Sequence, residues 1–378
     1  MSCIYLPDEL VAEILSFLPV KSLMRLRCMC KSWKTLIYDS AFVKLHFQRP
    51  SRKKHIAVIK YEAGYIAETK NFPLNHSLEN PSVSIASNSY YRLEYKDCIR
   101  VVGSCNGLLC LLGYSYSSNH NQDETIFWFR IWNPATRIIS EKLGTCHQPC
   151  NLFKLSFSFG YDNSTRTYNA VVLCTSEVKV FHFGDNIWRK IANFTPYNLV
   201  DTLGHDGVNQ QGVYLSGTVN WISIYPEDVT LDKFAIISLD LGTETYKKLL
   251  PPPGAVNLVP PYTEPTIATF MDRLCFSHHR KKTHFVIWQM IEFGFEQSWT
   301  QFLKISFQNL LVDNFGHSKY YLFPFCLSEN GETLIFASCV QHKAILYNLK
   351  TNRVKKAIGS AITWCYSKDY VESLAWIC

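Results

Sequence analysis

Gly217-Thr218-Val219-Asn220-Trp221-Ile222 reads as a tight turn feeding an apolar strand. Ile237-Ser238-Leu239-Asp240-Leu241-Gly242-Thr243-Glu244-Thr245 reads as a strand, a turn and a second strand. Glycine, asparagine and aspartate supply the backbone conformations that hairpin turns require. The first phrase returns as Asn106-Gly107-Leu108-Leu109-Cys110-Leu111, Asp272-Arg273-Leu274-Cys275-Phe276 and Gly331-Glu332-Thr333-Leu334-Ile335-Phe336. Gly217 to Asp272 is 55 residues and Asp272 to Gly331 is 59. Asn106 to Gly217 is 111, close to two periods, with Phe159-Gly160-Tyr161-Asp162 midway. The second phrase returns at Ile131–Arg137, Val180–Trp188 and Leu346–Asn352, with a looser copy over Phe285–Trp299 that has Gly294 at its turn. The repeat is a four-stranded unit of roughly 50–55 residues.

Composition agrees. Aromatic residues make up 14 % of the 378-residue chain and charged residues only 18 %. That balance suits pleated, half-buried surfaces better than solvated helices. The fold class is therefore mainly β with a small α module at the N-terminus. A period of this length suits a kelch-like β-propeller. Five copies lie between Asn106 and Gly359, and residues 55–100 add strand-like runs at His55–Tyr61 and Tyr91–Tyr95. Val371–Ile377 reads as a final strand; pairing it with the early strands completes a sixth blade and leaves no open sheet edge. A pair of β-sandwiches or an irregular β array is the alternative.

Residues 6–47 alone show sustained helical periodicity. Leu10, Val11, Ile14, Leu15 and Leu18 form one apolar stripe. Pro7 stands at the first turn with Asp8 and Glu9, which complement the helix dipole, and Pro19 ends the helix. A second run, Leu23, Leu26, Met29, Cys30, Trp33, Leu36 and Ile37, again steps by three and four, with Lys21, Arg25, Arg27, Lys31 and Lys34 on its outer positions. Some forty residues in two or three short helices carry more large apolar side chains than such a unit hides by itself. One face is meant for a partner, or the helices dock on the β body of the same chain. Residues 1–60 hold 11 Lys and Arg against 4 Asp and Glu, so the whole net charge of +7 sits in the first sixth of the chain. No basic–aromatic nucleic-acid motif accompanies it, which favours an acidic protein partner.

The run Leu6-Pro7-Asp8-Glu9-Leu10-Val11-Ala12-Glu13-Ile14-Leu15-Ser16-Phe17-Leu18-Pro19-Val20-Lys21-Ser22-Leu23, continued by Arg27-Cys28-Met29-Cys30-Lys31-Ser32-Trp33, closely resembles the plant form of the F-box. Cys30 departs from the small hydroxyl residue expected there. The F-box is the adaptor-binding module of SCF-type ubiquitin ligases. The resemblance implies a three-helix module over 1–48 and a basic linker over 49–54. It also implies that Leu6, Pro7, Leu10, Ile14, Leu18, Pro19, Leu23 and Trp33 form the module's core or its contact with an acidic Skp-family adaptor, and through that adaptor join cullin and RING subunits. Cys105–Cys110, Trp132–Arg137, Gly160–Asp162 and Gly217–Trp221 resemble the plant F-box-associated interaction domain, which implies a propeller over 55–378 that binds a protein substrate.

The catalytic inventory is nearly empty. The sequence has no Gly-rich phosphate loop, no His-Glu-x-x-His, no Gly-x-Ser-x-Gly and no Cys-x-x-Cys. Ser104 in Gly103-Ser104-Cys105-Asn106-Gly107 is not at the centre of an elbow. Cys146, His147 and Cys150 lack a second ligand pair at zinc-finger spacing. No metal, cofactor or enzymatic activity is expected, and the other cysteines read as small buried hydrophobes. His278–Lys282 reads as a solvated turn. Asp8, Glu9 and Glu13 stand where a signal peptide would be basic and then apolar, and no apolar run spans a bilayer. The expected setting is cytoplasmic, nuclear or both, without membrane or nucleic-acid contact. Substrate contact is expected on long loops, Tyr114–Glu124, Pro196–Gln211 and above all Pro251–Pro265, where Pro260, Pro261 and Tyr262 offer a stiffened segment with an aromatic anchor. The reading from another class is a propeller enzyme or small-molecule binder with a helical docking tail, marked by inward-facing His, Glu or Tyr around the axis.

Overall fold

The computed structural model describes residues 6–49, 54–62, 65–74, 93, 97–98, 100–119, 122–148, 155–174, 177–191, 211–224, 234–253, 265–280, 283–310, 322–338, 343–359 and 364–376. Four helices come first: α1 (Asp8–Ser16), α2 (Val20–Leu26), α3 (Lys31–Tyr38) and α4 (Ser40–Gln48). The expected three become four because the run from Leu23 to Ile37 is interrupted. Cys30 is extended and its Sγ accepts from the Trp33 N–H, starting α3 afresh. Asp39 is also extended, and its carboxylate accepts from the Ala41 and Phe42 N–H groups, starting α4.

Among the described residues twenty-four strands follow. They are β1 (Lys54–Glu62), β2 (Tyr65–Pro73), β3 (Arg100–Cys105), β4 (Leu108–Asn119), β5 (Gln122–Asn133), β6 (Ile138–Ile139) and β7 (Leu143–Gln148). Then come β8 (Ser156–Asp162), β9 (Thr167–Leu173), β10 (Val178–His182), β11 (Ile187–Lys190), β12 (Val213–Leu215), β13 (Thr218–Ile224), β14 (Phe234–Asp240) and β15 (Tyr246–Leu249). The last are β16 (Thr266–Phe270), β17 (Arg273–Arg280), β18 (His284–Met290), β19 (Trp299–Ser306), β20 (Leu322–Leu327), β21 (Thr333–Ser338), β22 (Lys343–Asn348), β23 (Arg353–Gly359) and β24 (Lys368–Val371).

The described residues form six antiparallel sheets. Four are plain meanders: β8 to β11, β12 to β15, β16 to β19 and β20 to β23. A fifth runs β3-β4-β5-β6, with β7 also on β5, and the sixth joins β2 and β1 to β24. Each sheet packs on the next through an apolar seam. Phe127, Phe157 and Phe181 fill the seam between the β3–β7 and β8–β11 sheets. Val180, Trp221 and Ile237 fill the next, then Ile236, Phe276 and Trp299, then Phe285, Phe336 and Tyr347. Ile56 and Val58 meet Ile335 and Leu346, and Ala57 and Tyr370 meet Val101 and Trp132, which brings the series back to its start. Ser104, Phe159, Tyr214, Ala268, Pro324 and Asp369, one from the first strand of five sheets and one from β24, line a common cavity of about 150 Å³ on the axis. Middle strands such as β21 are buried on both faces, so they read as unbroken apolar runs.

The repeated phrases are the hairpins of this ring. Asn106 and Gly107, Ser216 and Gly217, and Met271 and Asp272 all have positive φ, as the two-residue turns require. Gly107 is also fixed by space, since a Cβ there would collide with Ser373 Oγ and lie 2.5 Å from the Val371 carbonyl. Three of the outer hairpins start on an Asn or Asp that accepts from the backbone ahead of it: Asn133 from Ala135, Asp240 from Gly242, Asn348 from Thr351.

Several expectations change. The closing strand is Lys368–Val371, not Val371–Ile377; it pairs with β1 through His55↔Tyr370 and Ile56↔Asp369. Beyond it the chain leaves the ladder, and the Asn133 amide donates to the Ser373 and Ala375 carbonyls. Tyr114–Glu124 is not a loop: β4 and β5 run on through it in register as far as Asn119↔Gln122. His278 and His279 are buried in β17 rather than solvated. Trp288 Nε1 donates to His278 Nε2 at 3.3 Å, and the His279 ring lies 5.1 Å from Phe285 and 5.3 Å from Phe307. Of the run Tyr91–Tyr95 only Leu93 is described, and Pro260, Pro261 and Tyr262 lie outside the described residues.

One half-buried ion pair ties Asp97 to β5. Arg130 donates to Asp97 Oδ2 from Nη2 at 3.1 Å and from Nε at 3.3 Å, and to the Ser140 carbonyl at 2.9 Å. Desolvation pushes the Asp97 carboxyl up, but the Arg130 hydrogen bonds and the Arg130 and Lys142 charges outweigh it and hold the group below the ordinary carboxylate range. A lowered folded-state value contributes stability above the unfolded value of about 3.9 and loses it as pH falls through the folded value. Asp97→Asn is therefore expected to cost about 1–3 kcal/mol at neutral pH. It should also flatten the acid limb of a melting-temperature profile below about pH 4. An unchanged acid limb would show that the pair is not coupled to folding.

Candidate functional site

The helical module has a filled side and an open side. Pro7 supplies the first acceptor of α1, its carbonyl taking the Val11 N–H at 3.1 Å, and the acids of the first turn follow it. Leu15, Val20, Leu23, Ile37 and Phe42 are buried, with Val11, Leu18, Trp33 and Leu36 packed around them. The end of α4 straps α1: Arg49 Nε donates to Ser16 Oγ at 2.9 Å, its guanidinium lies 4.1 Å over the Phe17 ring, and it pairs with Glu13. His46 is buried with its Nε2 3.0 Å from the Leu18 carbonyl.

The eight residues singled out in sequence separate on this frame. Leu23 is core, and Leu18 and Trp33 are half-buried against it. Leu6, Pro7, Leu10, Ile14 and Pro19 are exposed. Leu6 is 49 % exposed, Leu10 51 % and Ile14 56 %. Phe17, at 54 %, continues the row but lies outside the stripe of Leu10, Val11, Ile14, Leu15 and Leu18 that the sequence periodicity marks. Its position three residues after Ile14 and seven after Leu10 was the signal. Met29, 73 % exposed, stands between α2 and α3, and Arg25, Lys31 and Lys34 of these helices are exposed as well.

The filled side contains two residues that no local pattern announces. Ala135, from the β5–β6 turn, and Leu374, from the tail after β24, are buried in the same cluster as the helical core. The Tyr38 and Trp376 rings meet edge to face at 6.4 Å, and Arg27 donates to the Tyr38 hydroxyl at 2.6 Å. One face of the module thus packs on the β body of the same chain, and the other stays open.

The axial cavity offers little acid–base chemistry. Its described lining contains Tyr214, Lys368 and Asp369 but no histidine or glutamate. Burial raises the Asp369 carboxyl above the ordinary range against the pull of the Lys54 charge. Ser104 is occupied, its hydroxyl donating to the Asp369 carbonyl at 2.6 Å. Among the described residues no group of three or more His, Cys, Asp or Glu could hold a metal ion. The nine described cysteines are free, and burial pushes the Cys105 and Cys275 thiols up to about 12, far from thiolate chemistry.

A short helical module with an open apolar row, carried on a closed ring of β-sheets, agrees with the family models. Residues 5–45 match the F-box domain and residues 62–377 match the F-box associated beta propeller domain. The chain belongs to the F-box proteins that carry this propeller. It is 28 % identical to F-box/kelch-repeat protein At3g23880 of Arabidopsis thaliana, over 98 % of this chain and 95 % of that one. It is 23 % identical to F-box protein At3g07870 of the same plant, over 98 % and 92 %. Among solved structures, a chain of the nidogen/laminin complex is similar at a TM-score of 0.42, with 11 % identity over 85 % of this chain and all of that one.

Proposed function

We propose that this chain is the substrate-recognition subunit of an SCF-type ubiquitin ligase, acting in the cytoplasm, the nucleus or both. The F-box docks on an acidic Skp-family adaptor, which links it to cullin and RING subunits, and the propeller holds a protein substrate. The single observation that carries this reading is the exposed row Leu6, Leu10, Ile14 and Phe17 on a module whose core is already filled. Apolar side chains in such a row are costly in water unless a partner covers them. The basic residues Arg25, Lys31 and Lys34 add attraction for an acidic partner and speed encounter. The chain is not a catalyst; it raises the effective concentration of a substrate lysine near the charged conjugating enzyme.

Substrate capture is assigned to the side of the ring away from the helices. In an antiparallel meander the first and third turns of each sheet lie at one end and the remaining connections at the other. Ala135 sits on a third turn and touches the helices. The anchors of 254–264, at the end of β15 and the start of β16, belong to the opposite end. Pro260, Pro261 and Tyr262 in that connection remain the proposed substrate contacts. The test is capture of a purified Skp-family adaptor by the whole chain and by residues 54–378, with the chain carrying Gly/Ser in place of Pro260–Pro265 in parallel. The whole chain and the loop variant should retain the adaptor, the shortened chain should not, and the loop variant should lose protein partners. Equal adaptor capture by all three would overturn the receptor reading.

A further inference from the structure

Three of the outer hairpin turns share one chemistry, an Asn or Asp accepting from the backbone ahead, yet one of them differs from the other two. Asp240 and Asn348 are half-exposed, whereas Asn133 is only 2 % exposed. Its Oδ1 accepts from the Ala135 and Thr136 N–H groups at 3.0 and 3.2 Å, as a turn residue does. Its Nδ2 reaches across the fold to the tail, donating to the Ser373 carbonyl at 3.0 Å and the Ala375 carbonyl at 2.7 Å. Ser373 Oγ in turn donates to the Asn106 carbonyl at 2.6 Å. The tail is thereby held with Leu374 facing the helices, beside Ala135, and both side chains are buried in the helical core. A module of this size completes its core with only five large residues of its own, which is too few for independent stability.

We propose that the Asn133–Thr136 turn and the Glu372–Trp376 tail form a joint that completes the F-box core, so that the four helices are ordered and aimed only when the propeller is closed. The joint makes the adaptor-binding module and the ring one body. Its value to a ligase, a fixed distance between adaptor and substrate, rests on the receptor reading; the joint itself does not.

Amide hydrogen exchange on the full chain tests this. Asn133→Asp keeps the acceptor for the turn but loses both donors to the tail and repels its carbonyls. The amides of α1–α4 are expected to exchange at least ten-fold faster in this variant, with β8–β19 unchanged. A chain ended at Val371 keeps β24 and should show the same pattern. Unchanged helix protection in both overturns the joint, as does a loss spread equally over β8–β19, which signals general unfolding. Capture of a purified Skp-family adaptor is measured alongside: both variants should bind at least ten-fold more weakly although Leu10 and Ile14 are untouched. If the helices loosen but the unaltered chain captures no adaptor, the joint stands and the receptor reading falls.

Discussion

Ile14→Asp is expected to abolish adaptor binding while leaving the melting of the protein unchanged, and Leu10→Asp is expected to do the same. Both side chains are more than half exposed and contribute little to the folded chain, so an aspartate there meets water and costs the fold almost nothing. In a complex the same side chains become buried, each worth roughly 1.5–3 kcal/mol. A carboxylate in their place forfeits that and must itself be desolvated. A fall in affinity of at least about 100-fold follows, equivalent to about 2.7 kcal/mol. Isothermal titration of the purified adaptor against each variant measures it. Leu23→Asp serves as the contrast: Leu23 is fully buried, so that variant should lose both the helices and the binding. Retained affinity in Ile14→Asp and Leu10→Asp would move the docking face elsewhere on the module.

Ending the chain at Ser367 is expected to have the largest effect on stability. This removes β24 and leaves its sheet with β1 and β2 alone, the edge of β1 open from Lys54 to Ala57. It also removes Tyr370, whose ring lies 5.4 Å from His55 in the seam with Val101 and Trp132. A bare edge of this kind templates pairing with other chains. Light scattering should report aggregation, and the thermal transition should broaden or disappear. Tyr370→Ala is the milder test, expected to cost about 3–5 kcal/mol as aromatic truncations in a core do. A chain ended at Ser367 that stays monomeric and melts sharply would show that the ring does not depend on its last strand.

The propeller repeat was legible because its turns demand particular residues. Two successive positive φ values at Asn106 and Gly107 exclude most side chains, so the turn shows in the sequence as plainly as in the structure. The same holds for Asp240 and Asn348, whose side chains make the turn. The four-helix count was not legible, since Cys30 caps α3 with a sulfur where a hydroxyl is the usual signal. His278 and His279 were misread because two adjacent histidines and three cations look solvated, whereas both faces of β17 are packed against neighbouring sheets. Tyr114–Glu124 was misread for a related reason: its serines and tyrosines suit a hairpin that runs on past the seams as well as they suit a loop. Of the proposed docking face, Leu10 and Ile14 follow from helical spacing, but their exposure depends on which face the body covers. That face is set by Ala135 and Leu374, about 240 residues apart in sequence, and no periodicity connects them.

The pairing of His55 with Tyr370 has a consequence for synthesis. Strand β1 leaves the ribosome more than 300 residues before its partner exists. At about 5–20 residues per second it waits roughly 15–60 s with one edge unsatisfied. Contacts this distant in sequence also form slowly once both strands are present. During that interval the nascent chain presents an unpaired apolar strand, the form of segment that holding chaperones bind. A message cut short anywhere before Lys368 yields a product with that strand permanently open, marked for disposal by the same edge that the finished chain conceals.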